Sequence, residues 1–188
     1  MDSLSDNALM LQVKEGQLEK LGLLFERYNK SLYGFFYRLT LDREVSEDLV
    51  QNVFLRVMKY KHTYKGDGQF KTWMYHMARN LFSDYYRKNK KMGYKEDVEV
   101  TDKYFRNESN AESNRIQKEE MDLLQHAMNQ LTFEKKEVLI LSKYQEMRYK
   151  DIADLLGITE SAVKVRIFRA LKDLKMVYMQ LEATPSAQ

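Results

Sequence analysis

The chain of 188 residues is poor in several residue types that organise other classes of protein. It has no cysteine, which excludes disulfide bridges and cysteine-ligated zinc and fits a reducing cytoplasm. It has one proline and seven glycines, so helices meet few interruptions. No apolar run reaches the roughly 18 residues that span a bilayer, and residues 1–11 contain two aspartates and no basic segment, unlike a signal peptide. We therefore expect a cytoplasmic location.

The abundant residues favour helices. Leu, Met, Lys, Glu and Tyr dominate, and no run of alternating β-branched residues stands out. Aromatic residues make up 12% of the chain, enough to fill packed cores. The formal net charge of +3 is too small to indicate a nucleic-acid partner, so local clusters of charge must decide. The composition predicts an all-α fold in one domain or two small ones.

Residues 149–171 have the pattern of a helix-turn-helix. An apolar-spaced segment ends at Gly157, which breaks the helix. Thr159 follows as a helix N-cap, because its hydroxyl can accept a bond from a free N–H of the next turn. A longer second helix begins there. The glycine turn and the cap together predict two helices held at a steep angle.

The two faces of this second helix differ in chemistry at the 100° step of an α-helix. The face predicted to pack inward consists of Val163, Ile167, Ala170, Leu171 and Leu174. The outer face is mostly basic but also carries apolar groups; it consists of Ser161, Val165, Arg166, Phe168, Arg169 and Lys172. Exposed arginine can read guanine edges and apolar groups can contact a thymine methyl in a major groove. The alternative is an ordinary amphipathic hairpin of a helical core.

Residues 70–89 form a second informative stretch. Its predicted inward stripe is Phe70, Trp73, Met74, Met77, Ala78 and Leu81. Its predicted outer face interleaves aromatic and basic residues, namely Thr72, Tyr75, His76, Arg79, Ser83, Tyr86, Arg87 and Lys90. Flat rings stack on unpaired bases and cations neutralise phosphates, so this face suits single-stranded nucleic acid. Alternatively, the tyrosines pack on a neighbouring helix. Asp84 is expected to form an ion pair among these cations.

The pattern of residues 44–61 predicts a further helix. From periodicity alone, its polar face cannot be distinguished from an ordinary solvent-exposed face. Residues 92–115 are acidic, rich in Asn and Ser and without a sustained period, as in a flexible linker. The sequence thus predicts two small helical domains joined by a flexible linker. The expected limits are 1–91 for the first domain, 92–115 for the linker, 116–182 for the second domain and 183–188 for a tail.

No group of residues has the pattern of a catalytic or metal site. His62, His76 and His126 are scattered, and no glycine-rich loop could hold phosphate. We therefore expect no catalytic residue, no metal, no cofactor and no small-molecule substrate. A metal-assisted nuclease that uses the linker carboxylates is the enzymatic alternative.

Three stretches together resemble bacterial RNA polymerase sigma factors of the extracytoplasmic-function (ECF) group. They are EDLVQNVFLR at 47–56, FKTWMYHMARN at 70–80 followed by Asp84 and Arg87, and YKDIADLLGITESAVKVRIFRAL at 149–171. Each stretch alone is moderately specific, whereas their order and spacing around an acidic linker are highly specific. The resemblance covers nearly the whole chain, from about Leu18 to Met179.

The resemblance implies a non-enzymatic factor that directs promoter-specific transcription initiation. Its implied partners are promoter DNA and core RNA polymerase, through the β′ clamp helices and the β subunit. Factors of this group are often held by an anti-sigma factor as well. The surface that docks on β′ would be Asp48, Gln51, Asn52, Phe54 and Arg56. The −10 element would be opened and held by Trp73, His76, Arg79, Asn80, Tyr85, Arg87 and Lys88, with a flipped base read by the loop 64–69. The −35 duplex would be contacted by Ser161, Lys164, Val165, Arg166, Phe168 and Arg169.

The sequence departs from the family pattern at two positions of the helix-turn-helix. Val165 stands where a small polar residue is common, which favours a methyl contact there. Arg148 precedes the first helix where Ser or Thr often caps. The competing interpretation is a stand-alone regulator that binds duplex DNA as a dimer on a palindrome, but it leaves the face of residues 70–91 unexplained.

Overall fold

A computed structural model describes residues 4–91 and 111–183, with the side chains of 4–89 and 119–183. The chain divides into two compact units, Met1–Glu96 and Asp97–Gln188, and the boundary falls inside the predicted linker. Every regular element in the described ranges is helical, as the composition predicts. Residues 92–110 of the predicted linker and 184–188 of the predicted tail lie outside the described residues, whereas 111–115 already belong to a helix.

Within residues 4–91, the N-terminal unit contains four α-helices and one short 3₁₀ turn. They are α1 (Asp6–Lys14), α2 (Lys20–Thr40), α3 (Arg43–Tyr60), the 3₁₀ turn (Lys61–Thr63) and α4 (Phe70–Lys91). The first break lies at Gly16, whose φ of 108° only glycine adopts readily. Gly22, in contrast, lies within the continuous α2. Asp42 is the N-cap of α3, since its carboxylate accepts a bond from the Val45 N–H at 3.0 Å.

Aromatic residues contribute to the core of the N-terminal unit, where Phe35 and Phe36 are both fully buried. The buried stripe of α4 differs from the predicted one; it is Phe70, Met74, Tyr75, Ala78 and Phe82. Tyr75, predicted to face outward, is fully buried because the Ser31 hydroxyl lies 2.9 Å from its hydroxyl and Phe35 meets its ring edge-on at 5.3 Å. A buried polar group needs such a partner. Trp73 is consequently only half-buried.

The C-terminal unit carries the helix-turn-helix. Its elements are α5 (Ala111–Asn129), α6 (Phe133–Leu139), a π-helical turn (Ile140–Tyr144), α7 (Tyr149–Leu156) and α8 (Glu160–Ala183). Gly157 ends α7 at φ 65° and Thr159 Oγ1 accepts a bond from the Ala162 N–H at 3.1 Å, so both predicted signals are confirmed. Fewer residues of α8 are buried than the sequence predicts. Val163, Ile167 and Ala170 are buried, whereas Leu171 is 40% exposed.

Arg148 occupies the N-cap position of α7 without capping it. Its guanidinium instead donates to both carboxylate oxygens of Asp151, at 2.7 and 3.1 Å. These bonds raise the pKa of Arg148, because the charged form is the one that Asp151 binds. The departure from the usual cap is thus compensated by a bidentate ion pair across the first turn of α7.

Candidate nucleic-acid and polymerase interface

The outer face of α8 exposes apolar groups between cations. Phe168 is 70% and Val165 is 48% exposed. Lys164 and Arg169 also face solvent, while Arg166 is half-buried. Lys164 Nζ lies 3.6 Å from Glu160 Oε1, which neutralises part of its charge. Such a face offers fork-shaped donors and methyl-sized contacts side by side, the chemistry that reads base edges in a major groove.

An open cleft of about 510 Å³ lies between the start of α6 and the first turns of α8. It is lined by Thr132, Glu134, Lys135, Ser161, Ala162, Val165, Arg166 and Arg169. Lys135 is ion-paired with Asp173, which holds α6 against α8. The cleft therefore places Arg166 and Arg169 along one rigid wall.

The outer face of α4 is polar and contains His76, Asn80 and Arg87, all exposed. With Trp73 these residues fall within a sector of about 60° at the helical step. Arg79 is half-buried at one border of this face. Tyr85 lies on the other side of α4, half-buried with its ring 6.3 Å from that of Phe82, and Lys88 is exposed nearby. Four of the seven predicted −10 residues thus form one surface, while Arg79, Tyr85 and Lys88 lie at its border or beyond it.

The loop of residues 64–69, which we call the 64–69 loop, adjoins this surface through aromatic contacts. The Tyr64 ring meets that of Trp73 edge-on at a centroid distance of 5.1 Å. Tyr64 is 2% exposed, and burial raises its pKa to about 12, with the charges of Asp67 and Asp6 adding to the shift. Lys65, Asp67 and Gln69 point to solvent. The loop therefore has a buried anchor and exposed polar side chains.

Asp84 forms the ion pair that the sequence predicts. Its carboxylate lies 2.9 Å from Arg87 on its own helix and 3.3 Å from Arg56 on α3. The Arg56 contact was not foreseen, because it joins residues 28 positions apart. Asp84 thereby connects a residue of the predicted polymerase-docking surface with one of the predicted −10 surface.

The polar face of α3 exposes Asp48, Gln51 and Asn52, and Arg56 is half-buried beside them. Phe54, which the sequence analysis placed on this surface, is only 7% exposed. Its ring packs edge-on against Phe25 of α2 at 4.9 Å. Phe54 is thus a core residue that supports the face from beneath, because an aromatic ring gains more from burial than from exposure there.

Helix α1 contributes contacts to the 64–69 loop that were not predicted from the sequence. Asn7 and Lys14 donate hydrogen bonds to backbone carbonyls of Gly68 and Tyr64, at 2.8 and 2.6 Å. The spacing of Asn7 and Lys14 places them on one face of a helix. The sequence shows this spacing, but which segment of the protein the face contacts depends on tertiary packing.

Comparison with known families matches both units. The Sigma-70 region 2 family matches residues 24–92, and the Sigma-70, region 4 family matches residues 121–174. The first range covers most of α2 and all of α3 and α4, and the second range contains the helix-turn-helix. Region 4 stops at residue 174 although α8 continues to Ala183.

Individual relatives agree with the family matches. The chain is 30% identical over 159 residues to the ECF RNA polymerase sigma factor SigM of Bacillus subtilis, covering 82% of this chain and 93% of that protein. It is 29% identical over 164 residues to SigX of the same organism, covering 84% and 82%.

Two solved structures share the fold. One is CnrH in complex with the cytosolic domain of CnrY, with a TM-score of 0.70 at 22% identity, covering 92% of this chain and 96% of CnrH. The other is the sigma factor RpoE in complex with the anti-sigma factor NepR from Bartonella quintana, with a TM-score of 0.68 at 20% identity, covering 83% and 94%. Both family matches and the identity to SigM lead to one assignment. The chain belongs to the ECF group of RNA polymerase sigma factors and directs promoter-specific transcription initiation.

Proposed function

We propose that the outer face of α3 binds core polymerase, that of α4 binds melted −10 DNA and that of α8 binds −35 duplex. The observation that carries this proposal is the chemistry of α8, where Phe168 and Val165 are exposed between basic side chains. An exposed phenylalanine side chain does not gain the free energy that burial of its ring would give. Contact with thymine methyl groups in a major groove would recover it.

On the −35 duplex, α8 enters the major groove with its first turns. Arg166 and Arg169 offer bidentate donors for guanine, and Val165 favours a thymine methyl. Lys164 and Ser161 contact the phosphates beside the groove. Arg166 and Arg169 line the adjoining cleft, and the ion pair of Lys135 with Asp173 holds α6 against α8 beside them.

On melted −10 DNA, α4 binds the unpaired strand. Trp73 offers a partly exposed ring for stacking, and Arg79, Arg87 and Lys88 neutralise phosphates. His76 and Asn80 supply hydrogen-bonding groups on the same surface. The 64–69 loop receives the flipped base through its exposed Lys65, Asp67 and Gln69. Tyr85 contributes less than expected from the family pattern, because it packs beside Phe82.

On core polymerase, the exposed Asp48, Gln51 and Asn52 of α3 dock against the β′ clamp helices. Phe54 holds this surface from within. The β subunit is the second contact of the polymerase. Since CnrH and RpoE were solved with CnrY and NepR, an anti-sigma factor is the further partner we propose. The factor is not itself an enzyme and works in the cytoplasm, where the polymerase transcribes.

Among the described residues, no helix is long and apolar enough to cross a membrane.

The experiment is capture of core RNA polymerase by the purified chain, followed by run-off transcription from a promoter library. We expect capture and transcription of a distinct promoter subset. Replacing Trp73 and Arg79 by Ala should abolish run-off while leaving core capture and −35 duplex binding intact. Because Trp73 is half-buried, His76→Ala with Asn80→Ala serves as a second variant at exposed positions. Initiation that survives both pairs would refute the assignment of α4.

A further inference from the structure

One face of α1 follows the 64–69 loop along its length. Asn7, Leu11 and Lys14 are spaced at i, i+4 and i+7, so they lie in one row. Each of the three touches or borders a different part of the loop or its ends. None of these three residues belongs to the surfaces that we propose for polymerase, −10 DNA or −35 duplex.

Asn7 holds the end of the loop with both atoms of its amide. Its Nδ2 donates to the Gly68 carbonyl at 2.8 Å, and its Oδ1 accepts from the Phe70 N–H at 2.8 Å. Phe70 is the first residue of α4, whose N–H groups at this end have no partner within the helix. Asn7 therefore caps α4 from another helix and ties its start to the last turn of the loop.

Lys14 and Leu11 hold the beginning and the middle of the loop. Lys14 Nζ donates to the Tyr64 carbonyl at 2.6 Å. At Gly66, where φ is 79°, an added Cβ would lie 3.4 Å from Leu11 Cδ2. Hydrogen bonds thus hold the backbone at residues 64 and 68, and Leu11 lies beside residue 66, while the side chains of Lys65, Asp67 and Gln69 remain exposed. Contacts to main-chain atoms set the path of the loop and leave its side chains available for bases.

The helix α1 is itself anchored firmly. Its residues Leu9, Met10 and Val13 are fully buried in the core of the N-terminal unit. Asp6 pairs with Arg27 of α2 at 2.6 Å and accepts a bond from the Tyr28 hydroxyl. A rigid support of this kind holds a binding loop better than a second loop would.

We propose that Asn7 and Lys14 are positioning residues that set the conformation of the 64–69 loop and thereby its preference for the flipped −10 base. The inference rests on the proposed function, in which this loop receives that base. It assigns part of promoter specificity to a helix outside the three surfaces proposed to bind polymerase and DNA. The loop side chains read the base, and α1 determines where those side chains stand.

The test uses the full chain with core RNA polymerase and a promoter library randomised at the −10 element, with transcripts counted by sequencing. We expect Asn7→Ala to lower discrimination at the position read by the loop by about fivefold, the scale of one net hydrogen bond. Lys14→Met should lower discrimination at the same position, and Lys14→Arg, which keeps a cationic donor, should retain it. Preferences at the −35 element and capture of core polymerase should stay unchanged.

Two controls separate positioning from loss of stability and from failure of the proposed function. Asp42→Ala removes the cap of α3, a contact of the same kind that does not touch the loop. If Asp42→Ala relaxes the −10 preference as much as Asn7→Ala, the effect is one of stability and the inference is wrong. Gln69→Ala tests the loop directly. If Gln69→Ala changes the preference and Asn7→Ala does not, only the role of α1 is refuted; if neither changes it, the assigned loop function is refuted as well.

Discussion

At the scale of single residues, Asp84 illustrates how one carboxylate controls the charge of a surface. It lies within ion-pair distance of Arg56 and Arg87, all three being at least partly exposed. Exposed pairs contribute little to folding, about 0–1 kcal/mol. Their main effect here is to lower the positive potential that an approaching strand meets.

We therefore expect Asp84→Asn to tighten binding of a nonspecific single strand by about two- to fivefold at low salt, with the gain fading as salt rises. Fluorescence anisotropy with a labelled oligonucleotide measures this. Glu47→Gln is the matched control, because it removes the same charge from a carboxylate that pairs with Arg43 on α3. An equal gain in both variants would mean that net charge alone is responsible.

Tyr64 makes the N-terminal unit sensitive to alkaline pH. Its pKa is raised by burial to about 12, from an ordinary value near 10. Above pH 10 the unfolded chain releases this proton while the folded chain keeps it, so stability falls as pH rises from about 10 to 12. Burial also raises the pKa of Tyr28 and Tyr75, which adds to the same trend.

The single tryptophan, Trp73, contacts Tyr64 and reports unfolding of this unit by fluorescence. We expect the denaturant midpoint to fall steeply above pH 10 in the native chain and less steeply in Tyr64→Phe, which keeps the ring and removes the titrating hydroxyl. Equal slopes in the two proteins would contradict the assigned pKa.

At the scale of elements, the turn of the helix-turn-helix depends on one backbone conformation. Gly157 has φ 65°, and the Ile158 N–H bonds to the Ala153 carbonyl at 3.1 Å to close the end of α7. No heavy atom lies within 4 Å of a Cβ built there, so an alanine would meet strain in its backbone and no clash.

Gly157→Ala should accordingly destabilise the C-terminal unit by about 1 kcal/mol, the lower end of the cost of a left-handed residue. Chemical denaturation followed by circular dichroism measures this. Gly22→Ala is the matched control, since Gly22 lies inside α2 with open space around it and should gain about 0.5–1 kcal/mol. Stabilisation in both variants would show that the turn tolerates a side chain.

Two cations of α8 should differ in how they affect promoter choice. Arg166→Ala should cost about 1–3 kcal/mol at the base pair that it reads and relax preference there. Lys164→Met should weaken all promoters alike and reduce the salt slope by about 0.9. Holoenzyme affinities for a set of −35 variants, measured across salt concentrations, distinguish the two effects. If Arg166→Ala weakens every sequence equally, Arg166 is a phosphate contact.

At the scale of the whole molecule, we propose that both small units contribute to one function. A single helix-turn-helix on a chain of net charge +3 offers limited contact with duplex DNA. Core polymerase would supply the second attachment, and tethered binding of this kind raises affinity about 100-fold or more.

The free chain should therefore be a monomer in sedimentation and should bind −35 duplex at least about 100-fold more weakly than the holoenzyme does. Titrating labelled duplex with the chain, in the presence and absence of core polymerase, gives this ratio. A dimer with tight affinity for a palindrome would instead support the stand-alone regulator.

Local signals in the sequence were sufficient for the elements and for the family. Gly157, Thr159 and Asp42 act on their own neighbours, so their effect on helix ends is readable without a fold. The outer side of α8 was also predictable, because a helix that packs on one side has apolar residues that recur with a period of 3.6 residues.

What only the tertiary structure decided are the contacts between distant segments. Tyr75 is buried because Ser31 accepts or donates at its hydroxyl, and Phe54 is buried because Phe25 of α2 covers it. Asp84 reaches Arg56 across two helices, and Asn7 reaches the 64–69 loop across 61 residues. Periodicity identifies which residues share a face of one helix, but a partner on another helix depends on how the helices pack. The sequence by itself therefore determined the helices, the local caps at Asp42 and Thr159 and the family, and the packing decided which polar groups hold the site in place.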